Sequence, residues 1–99
     1  MRTRIKICGF TRVEDAVTAA RLGVDAVGLV FYPPSPRNVE IQQAIKIARA
    51  LPAFTSAVAL FVDADARAIE TVLQRVAIDL IQFHGDETAE FCRSFNKPY

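Results

Sequence analysis

The sequence predicts an α/β chain built on a parallel sheet. Short apolar runs alternate with longer amphipathic ones, and the short runs begin near residues 4, 26, 56 and 79, at intervals of roughly 25 residues. Apolar strands separated by amphipathic helices form βαβ units, whose strands run parallel and are covered on both faces. With 99 residues, 52% of them hydrophobic, and a mean hydropathy of +0.21, the chain is sized and patterned as one collapsing domain, residues 1–99.

The first strand is read over Arg4–Cys8 and closed by Gly9. Thr11-Arg12-Val13-Glu14 has capping-box form, with the Thr hydroxyl and the Glu carboxylate each reaching a backbone N–H of the other. Val13, Ala16, Val17, Ala20 and Leu22 follow at helical spacing, and Gly23 is a natural stop. Ala26–Phe31 is nearly all apolar, as a doubly buried strand requires. Val39–Leu51 carries Ile41, Ala44, Ile45 and Ala48 on one stripe and ends at Pro52. Ser56–Val62 is the third strand. Asp65–Ala77 is the third helix, through Ile69, Val72, Leu73 and Val76. Asp79–His84 is the fourth strand, and a short helix around Phe91 and Phe95 spans Glu87–Phe95. Val24-Asp25-Ala26-Val27 resembles Ile78-Asp79-Leu80-Ile81, a faint two-unit repeat.

A sheet of four such strands has two apolar edges, which invite further pairing. Asn96-Lys97-Pro98-Tyr99 reads as the approach to a fifth strand. Eight units of this size make a small (β/α)8 TIM barrel, so the expected fold class is the first four βα units of one, a half-barrel.

Twelve basic and eleven acidic residues give a net charge of +1, which excludes a bulk basic footprint for nucleic acid. Charged residues interrupt every apolar run before it reaches the roughly 18–20 residues of a membrane span. The charged opening, Met1-Arg2-Thr3-Arg4-Ile5-Lys6, lacks the core of a signal peptide. Cys8 and Cys92 have no metal-type spacing, so the expectation is a cytoplasmic chain with free thiols. Phosphate-cradling loops of the P-loop or GxGxxG type, HExxH and a nucleophile elbow are missing from these 99 residues.

In a barrel, chemistry sits where strands end and βα loops begin. Alternation puts Ile5 and Ile7 on one face and Lys6 and Cys8 on the other. With the isoleucines under the helices, Lys6 and Cys8 point into the barrel, about 6.6 Å apart along the strand. A nearby ammonium favours the thiolate, and a modest decrease from an ordinary pKa of about 8.5 would make Cys8 a base near neutrality. Its other role is that of a small buried hydrophobe. Arg37 follows the stiff turn Pro33-Pro34-Ser35-Pro36, where it could grip a carboxylate bidentately or remain a solvated loop residue. His84 ends the fourth strand, with proton transfer, substrate contact or a structural hydrogen bond open to it. Asp86 is assigned to cap the fourth helix with Glu87 in its first turn, Asp63 and Asp65 to cap the third, and Cys92 to packing.

Taken together, these strand ends resemble the phosphoribosylanthranilate isomerase family of tryptophan biosynthesis. Lys6-Ile7-Cys8-Gly9-Phe10-Thr11 is similar to its KICGLT motif, with Phe10 where Leu is usual. Gly28-Leu29-Val30-Phe31-Tyr32-Pro33-Pro34-Ser35-Pro36-Arg37 resembles GFVFYPKSPR, with Pro34 in place of Lys. Val58-Ala59-Leu60-Phe61-Val62-Asp63 is similar to VGVFVN, and Gln82-Phe83-His84-Gly85-Asp86-Glu87 to QLHGDE.

The resemblance implies an Amadori rearrangement of a phosphorylated sugar–anthranilate substrate, without cofactor or metal, because the protonated imine is the electron sink. It assigns Cys8 as general base and Arg37 to the anthranilate carboxylate. The family's general acid, an Asp of a later strand, and its phosphate site, on the last two βα loops, have no counterpart in these residues. The chain alone is therefore expected to be inactive. The other reading is an interaction unit, a half-barrel that pairs through its edge strands with another copy or with a separate C-terminal chain.

Overall fold

The computed structural model describes residues 2–99; Met1, the first residue of the charged opening, lies outside them. Eight elements alternate: β1 (Lys6–Cys8), α1 (Val13–Arg21), β2 (Ala26–Phe31), α2 (Ile41–Ala50), β3 (Ser56–Phe61), α3 (Ala66–Arg75), β4 (Leu80–Phe83) and α4 (Ala89–Arg93). The four strands form one parallel sheet in the order β1-β2-β3-β4. Chain order therefore equals spatial order, as expected for consecutive βα units curling the same way. Among the described residues, no helix is long and apolar enough to cross a membrane.

Register keeps equivalent residues in phase across the sheet. Cys8 pairs with Gly28, Gly28 with Val58, and Val58 with Leu80. Side chains alternate along each strand, so the phase sorts them into two layers. The helix-facing layer holds Leu29, Ala57, Ala59, Phe61 and Ile81, packed against Ala16, Ala44, Ile47, Ile69 and Val72 from the helices in one core. The opposite, concave layer carries Lys6, Cys8, Val30, Val58, Leu60 and Gln82.

Several local expectations are corrected. The predicted first strand loses Arg4 and Ile5, and Val62, Asp79 and His84 lie outside the observed strands. Ile5 and Ile7 are 48% and 44% exposed rather than packed beneath helices. The reason is geometric: α1 leans toward β2 and α2, leaving the outer flank of β1 uncovered. The capping box does not form. Arg12, not Thr11, precedes α1 and makes no side-chain cap. Its guanidinium bonds Glu14 at 2.5 Å instead, while the Thr11 carbonyl accepts from Gln43 Nε2 at 3.1 Å. The fourth helix is shorter than Glu87–Phe95 and is capped by Thr88, whose Oγ1 accepts from Phe91 N at 3.1 Å.

The repeated Asp before β2 and β4 does the same job twice. Asp25 Oδ2 accepts from Ile5 N at 2.8 Å, and Asp79 Oδ2 accepts from Ala57 N, also at 2.8 Å. Each carboxylate thereby ties the start of its own strand to the strand before. Past α4, Ile81 N donates to Pro98 O at 2.9 Å, and Tyr99 meets Phe83 edge-on at 6.0 Å. The terminal segment thus lies alongside β4, where a fifth strand was anticipated.

Asp25 also receives the Arg2 guanidinium. That hydrogen bond, then the one from Ile5 N, lowers its pKa from 3.8 to about 2. A depressed folded-state pKa stabilises the fold above the unfolded value, and the contribution disappears as pH falls through the folded one. Acid unfolding of the wild-type chain should therefore steepen between pH 3.8 and about 2. In Asp25→Asn, thermal melts across that window should show a shallower loss; identical pH profiles would contradict the assignment.

Candidate functional site

The C-terminal ends of all four strands open onto one concavity of about 470 Å³, lined by Cys8, Val30, Tyr32, Ser35, Arg37, Leu60, Val62, Gln82 and His84. All three residues singled out from the sequence lie in it. Cys8 is half-buried and free, at the end of β1 on the concave face. Arg37 arrives from the loop after β2. That loop doubles back: Ser35 N donates to Tyr32 O at 2.9 Å, Asn38 N to Ser35 O at 3.1 Å, and Val39 N to Val30 O at 2.9 Å. Arg37 N donates to Ser35 Oγ at 3.1 Å, and its Nη1 reaches Cys8 O at 3.2 Å. The guanidinium is thus held over the end of β1, with its remaining N–H groups exposed for an anion.

Gly9 makes this crossing feasible. A Cβ there would lie 2.6 Å from both Arg37 Cδ and Nη1, and its φ of +98° is itself glycine-favouring. His84 is exposed at the rim, anchored by its own N–H to Phe61 O at 2.9 Å. Among the described residues, its ring takes no hydrogen bond, so the structural role considered for it is not observed. Lys6 does lie on the same face as Cys8, but its ammonium donates to Gln82 Oε1, bridging the concave face from β1 to β4.

The acidic loop residues divide differently from expectation. Asp65 caps α3, accepting from Ala68 N at 2.8 Å. Asp63 does not cap; it takes a left-handed backbone, φ 49°, and its Oδ1 accepts from Asp86 N at 2.8 Å. Asp86 is likewise no cap, because α4 begins later, behind Thr88. Glu87 accepts from Gly85 N at 2.8 Å and Asp63 N at 2.9 Å, locking the loops after β3 and β4 together beside His84. Cys92 is buried, as a packing residue should be. No cluster among the described residues is suited to a metal ion. A larger cleft of about 580 Å³ lies between the starts of α2 and α3, on the helix side of the sheet, with Phe31 and Phe61, the last residues of β2 and β3, in its lining.

Sequence reading passed over Tyr32, Ser35 and Gln82. Gln82 was legible from alternation, two residues before His84. The Ser35 hydroxyl, two residues before Arg37, has the spacing of a local side-chain turn.

The family model described as N-(5'phosphoribosyl)anthranilate (PRA) isomerase matches residues 5–98. A curated relative from Alcanivorax borkumensis, N-(5'-phosphoribosyl)anthranilate isomerase, is 58% identical over 96 residues, covering 97% of this chain and 44% of its own length. The crystal structure of phosphoribosyl anthranilate isomerase from Thermotoga maritima superposes with a TM-score of 0.92 at 40% identity, over 96% of this chain and 46% of that one. The same TM-score and identity hold for a phosphoribosyl anthranilate isomerase in complex with reduced 1-(o-carboxyphenylamino)-1-deoxyribulose 5-phosphate, covering 96% of this chain and 49% of that one. The chain spans about half the length of the curated relatives it matches. Its sequence over four βα units and its backbone agree on one assignment: the chain belongs to the phosphoribosylanthranilate isomerase family.

Proposed function

We propose that this chain is the N-terminal half of a (β/α)8 barrel domain that rearranges N-(5-phosphoribosyl)anthranilate, an aldose amine, to the corresponding 1-deoxyribulose, a ketose amine, in tryptophan biosynthesis. One observation carries the reading: a free thiol at the end of β1, an exposed guanidinium from the loop after β2 and an imidazole just past β4 face one concavity. In the proposed sequence an acid protonates the ribose ring oxygen and the ring opens to a protonated imine. Cys8 thiolate then removes the C2′ proton, and the electron pair moves into the imine to give an enolamine. Tautomerisation yields the ketone and returns the proton. The imine nitrogen serves as electron sink, so the proton transfers need no metal or cofactor.

Arg37 takes the anthranilate carboxylate through its free N–H groups, and His84 contacts the substrate from the opposite rim. The acid and the phosphate-binding loops come from the second half of the barrel, in the family's pattern. The setting is the reduced cytoplasm, which keeps Cys8 a thiol. A second reading has a narrower basis: the uncovered flank of β1, with Ile5 and Ile7 exposed, favours pairing of this unit with another copy.

In the full-length protein, Cys8→Ala and Cys8→Ser should each lower kcat by about 10²-fold or more. A loss below about tenfold, measured by fluorescence decay of freshly made substrate, counts against the base assignment. Arg37→Met should instead act mainly on KM, raising it by about 10–100-fold, since a charge-assisted contact held in both ground and transition states is removed.

The 99-residue chain on its own should show no turnover above background, because a positioned acid alone contributes about 10²–10⁴-fold. Turnover of about 1–10³ s⁻¹ would overturn that expectation. Sedimentation separates the two readings: a 10.9 kDa monomer argues against pairing between copies, and a dimer supports it.

A further inference from the structure

Cys8 and Gly28 are partners in the β1–β2 ladder, and both side-chain positions face the concavity. A Cβ placed on Gly28 would lie 2.7 Å from Cys8 Sγ and 3.0 Å from both Cys8 Cα and Cβ. The thiol therefore leans over β2 and fills the volume that a side chain at position 28 would occupy. Backbone conformation is not the reason for a glycine here. The left-handed glycines among the described residues are Gly9 and Gly23, whereas Gly28 sits in regular strand. Glycine within a strand lowers strand stability and often marks a close approach by another group. At this position the approaching group is the thiol itself.

We propose that Gly28 is a positioning residue for Cys8: its missing side chain turns the sulfur inward over β2, toward the concavity shared with Arg37 and His84, rather than toward the uncovered flank of β1. The inference rests on the proposed role of Cys8 as base. A methyl group at position 28 would drive the sulfur out of this seat or push β1 from β2. Arg37 should be spared, because the three atoms nearest the built Cβ all belong to Cys8.

The test uses Gly28→Ala in the full-length protein. A thiol displaced by an ångström should lower kcat by about 10²-fold, while KM stays within about threefold because carboxylate binding is untouched. The rate of Cys8 alkylation by iodoacetamide should shift at least about fivefold, since access and environment of the thiolate change. Unchanged kcat and alkylation would overturn the proposal, as would a fall in melting temperature with both kinetic readouts intact.

If Gly28→Ala does not fold, Cys8→Ala should restore folding in part, because the 2.7 Å contact is then gone while those at 3.0 Å remain, and the two substitutions couple. A double variant no more stable than Gly28→Ala alone would also overturn the proposal. Full activity in Cys8→Ala would remove the base assignment itself. Lost activity in Cys8→Ala beside a normal Gly28→Ala would remove the positioning role alone.

Discussion

Everything in this chain follows from the in-phase parallel register of its four strands. Because Cys8, Gly28, Val58 and Leu80 align across the sheet, the two-residue alternation of each strand agrees with that of its neighbours. One layer becomes uniformly apolar and takes the helices. The other becomes a concave face on which lysine, cysteine and glutamine can sit together without entering the core. A slip of one residue in any strand would exchange the layers, placing Lys6 or Gln82 under the helices and Ile81 in the concavity. Asp25 and Asp79 guard against that slip, each bonding the N–H of the preceding strand at its start.

The strand ends then act as mounting points. A side chain at the end of β1 is rigid because its backbone is paired, whereas one on a loop must be braced. Arg37 is braced by the turn through Ser35 and by its own contact with the Cys8 carbonyl. The Arg37 side chain is therefore tied to the backbone of Cys8 rather than to its thiol, with Gly9 supplying the clearance. This is how a thiol from one strand and a guanidinium from a loop some thirty residues later meet in one small concavity.

The layers were legible in the sequence because they depend on periodicity. Leu29, Ala59, Phe61 and Ile81 lie within apolar runs whose length already says strand, and the Ile69–Val72 stripe says helix. Cys8, Arg37 and His84 stand out in the sequence because strand ends and the loops after them are where a barrel carries its chemistry. What escaped was decided by tertiary neighbours. Thr11 heads a good local capping motif, yet the helix starts one residue later, and Arg12 takes the glutamate the motif needed. Asp63 and Asp86 look like caps to a local reading, but the Asp63 carboxylate accepts from the backbone N–H of Asp86 across two loops. Ile5 and Ile7 obey alternation and are still exposed, since no periodicity in β1 states which helix lies over its outer side.

The carboxylate of Glu87 serves two masters, one N–H in its own loop and one in the loop after β3. Those two surface segments consequently cannot be exchanged independently. Grafting a foreign connector into either position would strand a backbone donor in the other and loosen the imidazole standing next to it, so redesign of this rim has to transplant both connectors as a matched pair.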